Sequence, residues 1–210
     1  MHPDKHPQIA PFRELFARYE RHRWIAGGWA VDFLVGEVRR EHSDLDVLVL
    51  AADFDHFVDR MRPFEPMVID GPTKERRPAE RGFDIEPGRM TVEFTRNLPP
   101  GCGDIQVLFA LSDDSDWIFH RGRKVRWPLA NLTRHSPSGT PYLTPEIVLL
   151  LKARDNREKD QADFVDAVPF LSPEQLSWLR PRLAPPWNQP HPWDATIAEA
   201  LGEDLSADGR

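Results

Sequence analysis

The sequence contains a single cysteine, Cys102, among its 210 residues. One thiol cannot form an internal disulfide, and the histidines show no C-x-x-C or H-E-x-x-H spacing, which argues against a disulfide or zinc scaffold. Long apolar runs are also missing. The longest, Val47 to Ala52 and Ile147 to Leu151, are far shorter than the ~18 residues that a membrane helix needs. We therefore predict a chain without disulfide, structural zinc or membrane span.

An excess of basic residues is equally absent. The 27 Lys and Arg residues are outnumbered by 34 Asp and Glu residues, giving a formal net charge of -7. Such a charge disfavours non-specific binding to nucleic acid and is compatible with a cationic substrate. The first residues, MHPDKHPQ, lack a basic segment followed by an apolar one, so we expect no signal peptide and a cytoplasmic location.

What is present indicates a folded core with an appendage. Apolar residues make up 40%, and 7 Trp and 12 Phe supply large core side chains, which argues against disorder. The composition shifts near His135, where the segment S-P-S-G-T-P is typical of a linker. We predict a core over residues 1–135, a helical subdomain over 136–184 and an extended proline- and tryptophan-rich tail over 185–210 with a short terminal helix.

The pattern of apolar residues predicts an α+β (α/β) fold with a small mixed sheet. A helix is expected from Ile9 to His22, then a strand over Trp24 to Ala26 that leads through a glycine pair into a second helix. Leu45 to Ala51 is a nearly continuous apolar run, typical of a buried central strand. Met90 to Thr95 and Asp104 to Leu111 predict a hairpin, and helical patterns dominate after residue 135.

Two carboxylates open the predicted central strand. Side chains alternate along a strand, so Asp44 and Asp46 share one face, roughly 6 to 7 Å apart along the chain. Hard cations such as Mg²⁺ are held in proteins by one or two carboxylates together with substrate phosphates. The spacing therefore permits a magnesium site at this strand end.

Further groups suited to phosphate surround these carboxylates in sequence. Gly27 and Gly28 precede a predicted helix, where backbone N–H groups can approach a phosphate at the positive end of the helix dipole. Arg40 and His42 lie on the same side as the carboxylates if the strand extends backward. Each feature alone is common, but their order from strand to glycine pair, helix, basic residues and D-x-D is specific, and it predicts a nucleotide site.

The motif resembles a known group. G-G-W-A-x-D-x-x-x-G over 27–36 and R-x-H-x-D-x-D over 40–46 are similar to the signature of the antibiotic-modifying nucleotidyltransferases, in particular the aminoglycoside 2''-O-adenylyltransferase-like group. Their superfamily, with a DNA polymerase β-like fold, also includes lincosamide nucleotidyltransferases and minimal nucleotidyltransferase antitoxins. A weaker resemblance continues in P-E-I-V-L-L-L-K-A-R and K-D-Q-A-D-F over 145–164.

The resemblance implies a nucleotidyltransferase fold, a small mixed sheet flanked by helices with a C-terminal helical appendage. It also implies Mg²⁺ or Mn²⁺ bound by Asp44, Asp46 and a third carboxylate, with ATP or another nucleoside triphosphate as co-substrate. Asp104, which opens a buried strand, is our candidate for the third carboxylate, as ligand or base, and Glu93 is its rival. Lys152, at the polar end of an apolar helix, is a candidate for the phosphate tail.

Transfer of AMP from ATP to a hydroxyl of a small molecule, with release of pyrophosphate, is the function that the resemblance implies for these residues. An aminoglycoside-like antibiotic is one candidate acceptor. An antitoxin that binds or adenylylates a partner toxin protein is an alternative. A non-catalytic nucleotide-binding module is a second alternative, disfavoured by the intact Asp44, Asp46 and Asp104.

Overall fold

The computed structural model describes residues 1–100, 103–122, 124–183 and 190–203. The chain divides into two compact units, the first ending at Leu143 and the second beginning at Thr144. Cys102 and, in the predicted tail, residues 185–189 with Trp187 and residues 204–210 lie outside the described residues. No helix in the described ranges combines the length and the apolar character that a membrane span requires.

The described part of the first unit contains three α-helices and ten strands. The helices are α1 (Ala10–Leu15), α2 (Gly27–Val35) and α3 (Phe54–Met61). The strands are β1 (Arg23–Ile25), β2 (Asp44–Leu50), β3 (Pro66–Asp70), β4 (Arg76–Pro78), β5 (Met90–Phe94), β6 (Asp104–Ser112), β7 (Asp116–Ile118), β8 (Arg126–Pro128), β9 (Thr133–His135) and β10 (Pro141–Leu143).

These strands make one mixed sheet in the order β4-β3-β5-β6-β2-β1-β10-β9, while β7 pairs with β6 and β8. The central pair β2 and β6 is parallel, and so is β1 with β10. The other pairs along the sheet are antiparallel, including the predicted hairpin of β5 and β6. The predicted mixed sheet flanked by helices is thus confirmed.

The middle of the sheet is its most buried part, as the apolar run of β2 predicts. Val47 and Val49 of β2, Val107 of β6 and Val92 of β5 are all 0% exposed and lie on one face. Phe57 of α3 is also fully buried and contacts Phe109 of β6, with ring centroids 5.5 Å apart. One face of the central strands is therefore closed by core packing. On the other face Leu48 and Leu50 are also buried, whereas Asp44 and Asp46 at the start of β2 are only partly buried.

The first helix is shorter than its apolar spacing predicts, since α1 ends at Leu15 rather than near His22. The chain instead turns, and the backbone N–H of Tyr19 donates to the carbonyl of Phe16. Both aromatic rings remain buried in this turn and contact each other edge to face at 5.8 Å. The buried rings that suggested a longer helix are therefore accommodated without one.

Residues 136–140, predicted as a linker, are the turn between β9 and β10. His135 pairs with Pro141 across this turn, and β10 continues beside β1. The carboxylate of Asp4 accepts hydrogen bonds from the hydroxyls of Ser136 and Thr140, at 2.9 and 2.8 Å. The segment therefore belongs to the first unit, and the second unit begins later than the predicted boundary at 135.

The second unit is helical, as predicted, with α4 (Pro145–Ala153), α5 (Glu158–Ala167), α6 (Pro173–Leu183) and α7 (Asp194–Ala200). Leu149, Leu179 and Ile197 are fully buried within it. The rings of Phe164 and Trp193 stack face to face at 4.2 Å, and the indole N–H of Trp193 donates to Gln161.

Candidate active site

The acidic residues singled out in the sequence come together on one face of the central strands. Asp44 of β2 and Asp104 of β6 are Cα partners in the parallel pair, and Asp46 is the partner of Gln106. Gln106 is in turn the partner of Glu93 on β5. Since paired residues on neighbouring strands project to the same side, Asp44, Asp46, Asp104 and Glu93 share the face opposite the buried valines.

Glu93 and Asp104 differ in what surrounds them. The Glu93 carboxylate accepts a hydrogen bond from the Arg76 guanidinium of β4, with Nη2 and Oε2 2.6 Å apart. Asp104 is exposed, and its side chain makes no hydrogen bond or ion pair with any part of the chain that the structure describes. Asp104 is thus the carboxylate available to a ligand, whereas Glu93 already has a cationic partner.

The N-terminus of α2 lies against Asp46. The backbone N–H of Ala26, just before the helix, donates to the carbonyl of Asp46 at 2.9 Å. Gly27 has φ +61, and a Cβ atom there would overlap the Asp46 carboxylate. Only glycine satisfies both conditions without strain. The N–H groups in the first turn of α2 have no partner within the helix. The glycine therefore lets this turn approach the carboxylate row, the name used below for Asp44, Asp46 and Asp104.

Gly28 is required by a second close approach. A Cβ atom at this position would lie 2.7 Å from the His42 ring and would also collide with the Arg40 guanidinium. Both basic residues precede β2, in the loop that returns over the start of α2. Arg40 and His42, predicted to bind nucleotide, are therefore beside Gly28 at the helix N-terminus rather than along the strand.

His42 is held in place by two residues of α2. Its Nε2 lies 2.7 Å from the Asp32 carboxylate, and both side chains are almost fully buried. The imidazole also stacks on the Trp29 ring at 4.2 Å. Asp32, a position within the glycine motif, thus orients the histidine, and this pair fixes the loop that leads into Asp44.

Lys152, in the second unit, is buried and already paired with carboxylates. Its side chain is 8% exposed, and its ammonium group pairs with Asp160 at 3.0 Å and Asp163 at 2.7 Å. Burial by itself raises the pKa of Asp160, but hydrogen bonds from Arg157 and Lys152 outweigh it, so the pKa is lowered. The lysine charge is already balanced by these carboxylates, and a role in binding the phosphate tail stays a prediction.

A cleft of about 400 Å³ opens beside the carboxylate row. Its polar lining comprises Ser43, Asp44, Arg76, Glu93, Asp104 and Gln106. Phe94, Leu98 and Ile105 supply apolar surface. Arg76 was not among the predicted site residues. The sequence shows a basic cluster at this position but little periodicity around it, so the strand that carries Arg76 across to Glu93 was not identifiable.

The carboxylate row suits a hard divalent cation in its donor chemistry. Asp44, Asp46 and Asp104 provide oxygen ligands from two adjacent strands on one face, the ligand type that Mg²⁺ and Mn²⁺ take. Within the described ranges, no group of three or more His, Cys, Asp or Glu side chains is gathered closely enough to hold a metal ion as it stands. To hold one ion together, the side chains of Asp44, Asp46 and Asp104 would have to turn toward one another.

Comparison with known proteins agrees with this architecture. A family model described as aminoglycoside-2''-adenylyltransferase matches residues 9–88, which include the glycine motif, Asp44 and Asp46. No curated protein sequence matches the chain.

Solved structures of antibiotic-modifying enzymes share the fold. The solution structure of the antibiotic-resistance factor ANT(2'')-Ia has a TM-score of 0.54 at 14% identity, covering 86% of this chain and 91% of that one. The crystal structure of ANT(2'')-Ia with adenylyl-2''-tobramycin gives 0.54 at 15%, covering 83% and 94%. The lincosamide adenylyltransferase LnuA, bound to lincomycin, gives 0.53 at 18%, covering 78% and 96%. The predicted nucleotidyltransferase fold is confirmed, and the family match indicates nucleotidyltransferase activity.

Proposed function

We propose that this chain of nucleotidyltransferase fold transfers AMP from ATP to a hydroxyl group of a small molecule and releases pyrophosphate, with Mg²⁺ as the cation. The observation that carries the proposal is the carboxylate row: Asp44 and Asp46 share a face with Asp104, and the glycine N-terminus of α2 lies directly beside Asp46. Oxygen donors for a cation and N–H donors for phosphate thus adjoin each other.

The residues of the chain have distinct parts in the proposed reaction. The first turn of α2, Arg40 and His42 bind and orient the triphosphate, since both side chains lie beside Gly28 at the start of the helix. The acceptor occupies the cleft next to Asp104, so that its hydroxyl oxygen attacks the α-phosphorus in line. A phosphorus–oxygen bond forms, the bond to the β-phosphate breaks, and pyrophosphate leaves.

The released proton goes to Asp104 if this residue is the base, or to water if Asp104 is only a cation ligand. Bound Mg²⁺ held by Asp44 and Asp46 would shield the phosphate charges and polarise the α-phosphoryl group. The neighbouring structures name an aminoglycoside, tobramycin, and a lincosamide, lincomycin, so both belong in the panel of hydroxyl compounds to test as acceptors. ATP is a cytoplasmic metabolite, which agrees with the predicted location.

Incubation with α-labelled nucleoside triphosphates, Mg²⁺ and a panel of aminoglycosides and lincosamides tests the proposal, with pyrophosphate release as the measurement. Asp44→Asn and Asp46→Asn are each expected to lower turnover by about 100-fold or more, because each removes one charged ligand. Circular dichroism should show an unchanged fold. Wild-type turnover in both variants would contradict the assignment of these carboxylates.

A further inference from the structure

The face of the sheet that carries the carboxylate row, called the open face below, continues beyond these residues toward β4. Glu93 adjoins Gln106 on one side and Met67 of β3 on the other. Arg76, on the edge strand β4, reaches over this face to Glu93 and lines the same cleft as Asp44 and Asp104. The cleft therefore has a carboxylate end and a guanidinium end.

The ion pair changes what Glu93 can bind. A carboxylate that lines a cleft ordinarily attracts an ammonium group, but Glu93 already accepts a hydrogen bond from Arg76. The remaining acids among the described lining residues are Asp44 and Asp104, which the proposed function assigns to the cation and the reacting hydroxyl. An ammonium group of an acceptor thus finds no free carboxylate in the part of the cleft that the structure describes.

The Arg76 guanidinium, by contrast, has N–H groups that the hydrogen bond to Glu93 does not use. Arg76 uses Nη2 for Glu93, and its side chain is 55% exposed at the cleft. A guanidinium carries five N–H groups in a planar fork, so several still face the cleft and its occupant. Such a group binds carboxylate, phosphate and carbonyl oxygens, and it has no acceptor atom for the N–H groups of an ammonium.

We propose that Arg76 determines acceptor specificity, and that the acceptor is a hydroxyl compound carrying an anionic or strongly accepting oxygen group rather than a polycation. This inference rests on the proposed function, because it takes Asp44 and Asp104 as occupied. It predicts that polyamine sugars bind poorly and that Arg76, not the carboxylate row, is the cause.

A matched series of ligands tests the proposal directly. Glucuronate, glucose and glucosamine share a hydroxylated ring and differ in charge. Each is titrated into the ¹⁵N-labelled full chain with Mg²⁺ and α,β-methylene-ATP, and Kd is taken from amide shift changes. We expect glucuronate to bind about tenfold more tightly than glucosamine, with glucose between them, as one half-exposed charged contact allows.

Variants then assign the preference to one side chain. Arg76→Gln frees Glu93 and is expected to lower the glucuronate-to-glucosamine preference about tenfold or more, so that glucuronate no longer binds more tightly than glucosamine. Arg77→Gln is the matched control, because the neighbouring guanidinium lies over the Phe83 ring and is not part of the cleft. Glu93→Gln keeps Arg76 and should retain the preference for glucuronate.

Tighter binding of glucosamine by the wild-type chain would overturn the proposal. Equal shifts for all three ligands, or no shifts, would do the same, as would an Arg76→Gln variant with unchanged order. Shift changes caused by the nucleotide analogue alone, before any sugar is added, report separately on the proposed function. Their absence would reject that function rather than the role of Arg76.

Discussion

At the residue scale, the environments of Asp104 and Glu93 separate two carboxylates that the sequence alone left as rivals. Both lie on the open face, but among the residues that the structure describes only Glu93 is paired with a cation. We expect Asp104→Asn to lower turnover by about 100-fold or more, and Glu93→Gln to leave the maximal rate within a few-fold of wild type. Steady-state kinetics with saturating ATP and acceptor measures this difference.

The same kinetics, combined with nucleotide binding, define the role of Asp104. Loss of turnover with unchanged nucleotide affinity indicates the base, whereas loss of both indicates a cation ligand. A large loss of rate in Glu93→Gln with a fully active Asp104→Asn would transfer the role of third carboxylate to Glu93.

Lys152 gives a contrasting residue-scale prediction. It is buried between Asp160 and Asp163, so Lys152→Met removes the cation that the two carboxylates share, although Asp160 keeps its ion pair with Arg157. Breaking a buried pair in this way typically costs about 3 to 5 kcal/mol. We expect urea unfolding to shift by a comparable amount in this variant and by little in the control Lys159→Met, whose side chain is exposed.

One combination of results would instead support the predicted role of Lys152 in binding the phosphate tail. That role requires a raised KM for ATP in Lys152→Met together with wild-type resistance to urea.

At the scale of elements, the contact between α2 and the loop before β2 depends on Gly28. We expect Gly28→Ala to displace Arg40 and His42, because its Cβ atom would occupy the space that they fill. Nucleotide affinity should fall about tenfold or more, while the helix itself is retained. Isothermal titration with ATP and Mg²⁺ measures the change. Gly122→Ala, where the added atom makes only ordinary contact with Phe119, is the control, and equal affinities in the two variants would contradict the prediction.

Some secondary-structure elements could be predicted from the sequence and others could not. The strand β2 and the hairpin of β5 and β6 were predicted because each strand has a regular apolar pattern. The three-residue strands β9 and β10 were not, since so short a segment shows no period, and the turn between them resembles a linker in composition.

Sequence reasoning likewise identified one part of the candidate site and not the other. Asp44, Asp46 and the glycine pair are neighbours in sequence, so local spacing was enough to bring them together. The register that makes Asp104 the partner of Asp44, and the reach of Arg76 to Glu93, depend on pairing between distant strands. No local pattern encodes that pairing, because it is set by the packing of the whole sheet.

At the scale of the whole first unit, Asp4 links the N-terminal segment to the turn between β9 and β10. Burial alone would raise its pKa, but hydrogen bonds from Ser138, Ser136 and Thr140 lower the pKa of Asp4 from its ordinary 3.8 to about 2. A carboxyl whose folded pKa is lowered stabilises the fold fully above its unfolded pKa and loses that contribution as the pH falls through the folded one.

We therefore expect Asp4→Asn to be less stable than wild type near pH 6. The difference should shrink between about pH 4 and pH 2, where Asp4 becomes protonated in the wild-type chain. Thermal unfolding of both proteins across this range measures the difference. A gap that stayed constant down to pH 2 would show that Asp4 does not contribute through its charge.

The parallel pairing of β2 with β6 also affects how the chain emerges from the ribosome. β2 is made long before β6, because β3, β4, β5 and the loops between them lie between the two strands in sequence. Only one edge of β2 can pair at that time, with the earlier strand β1. At synthesis rates of about 5 to 20 residues per second, the other edge of this apolar strand stays open for roughly 3 to 10 s. The register that completes the carboxylate row thus leaves the nascent chain with an exposed strand edge, a binding site for chaperones and a starting point for aggregation.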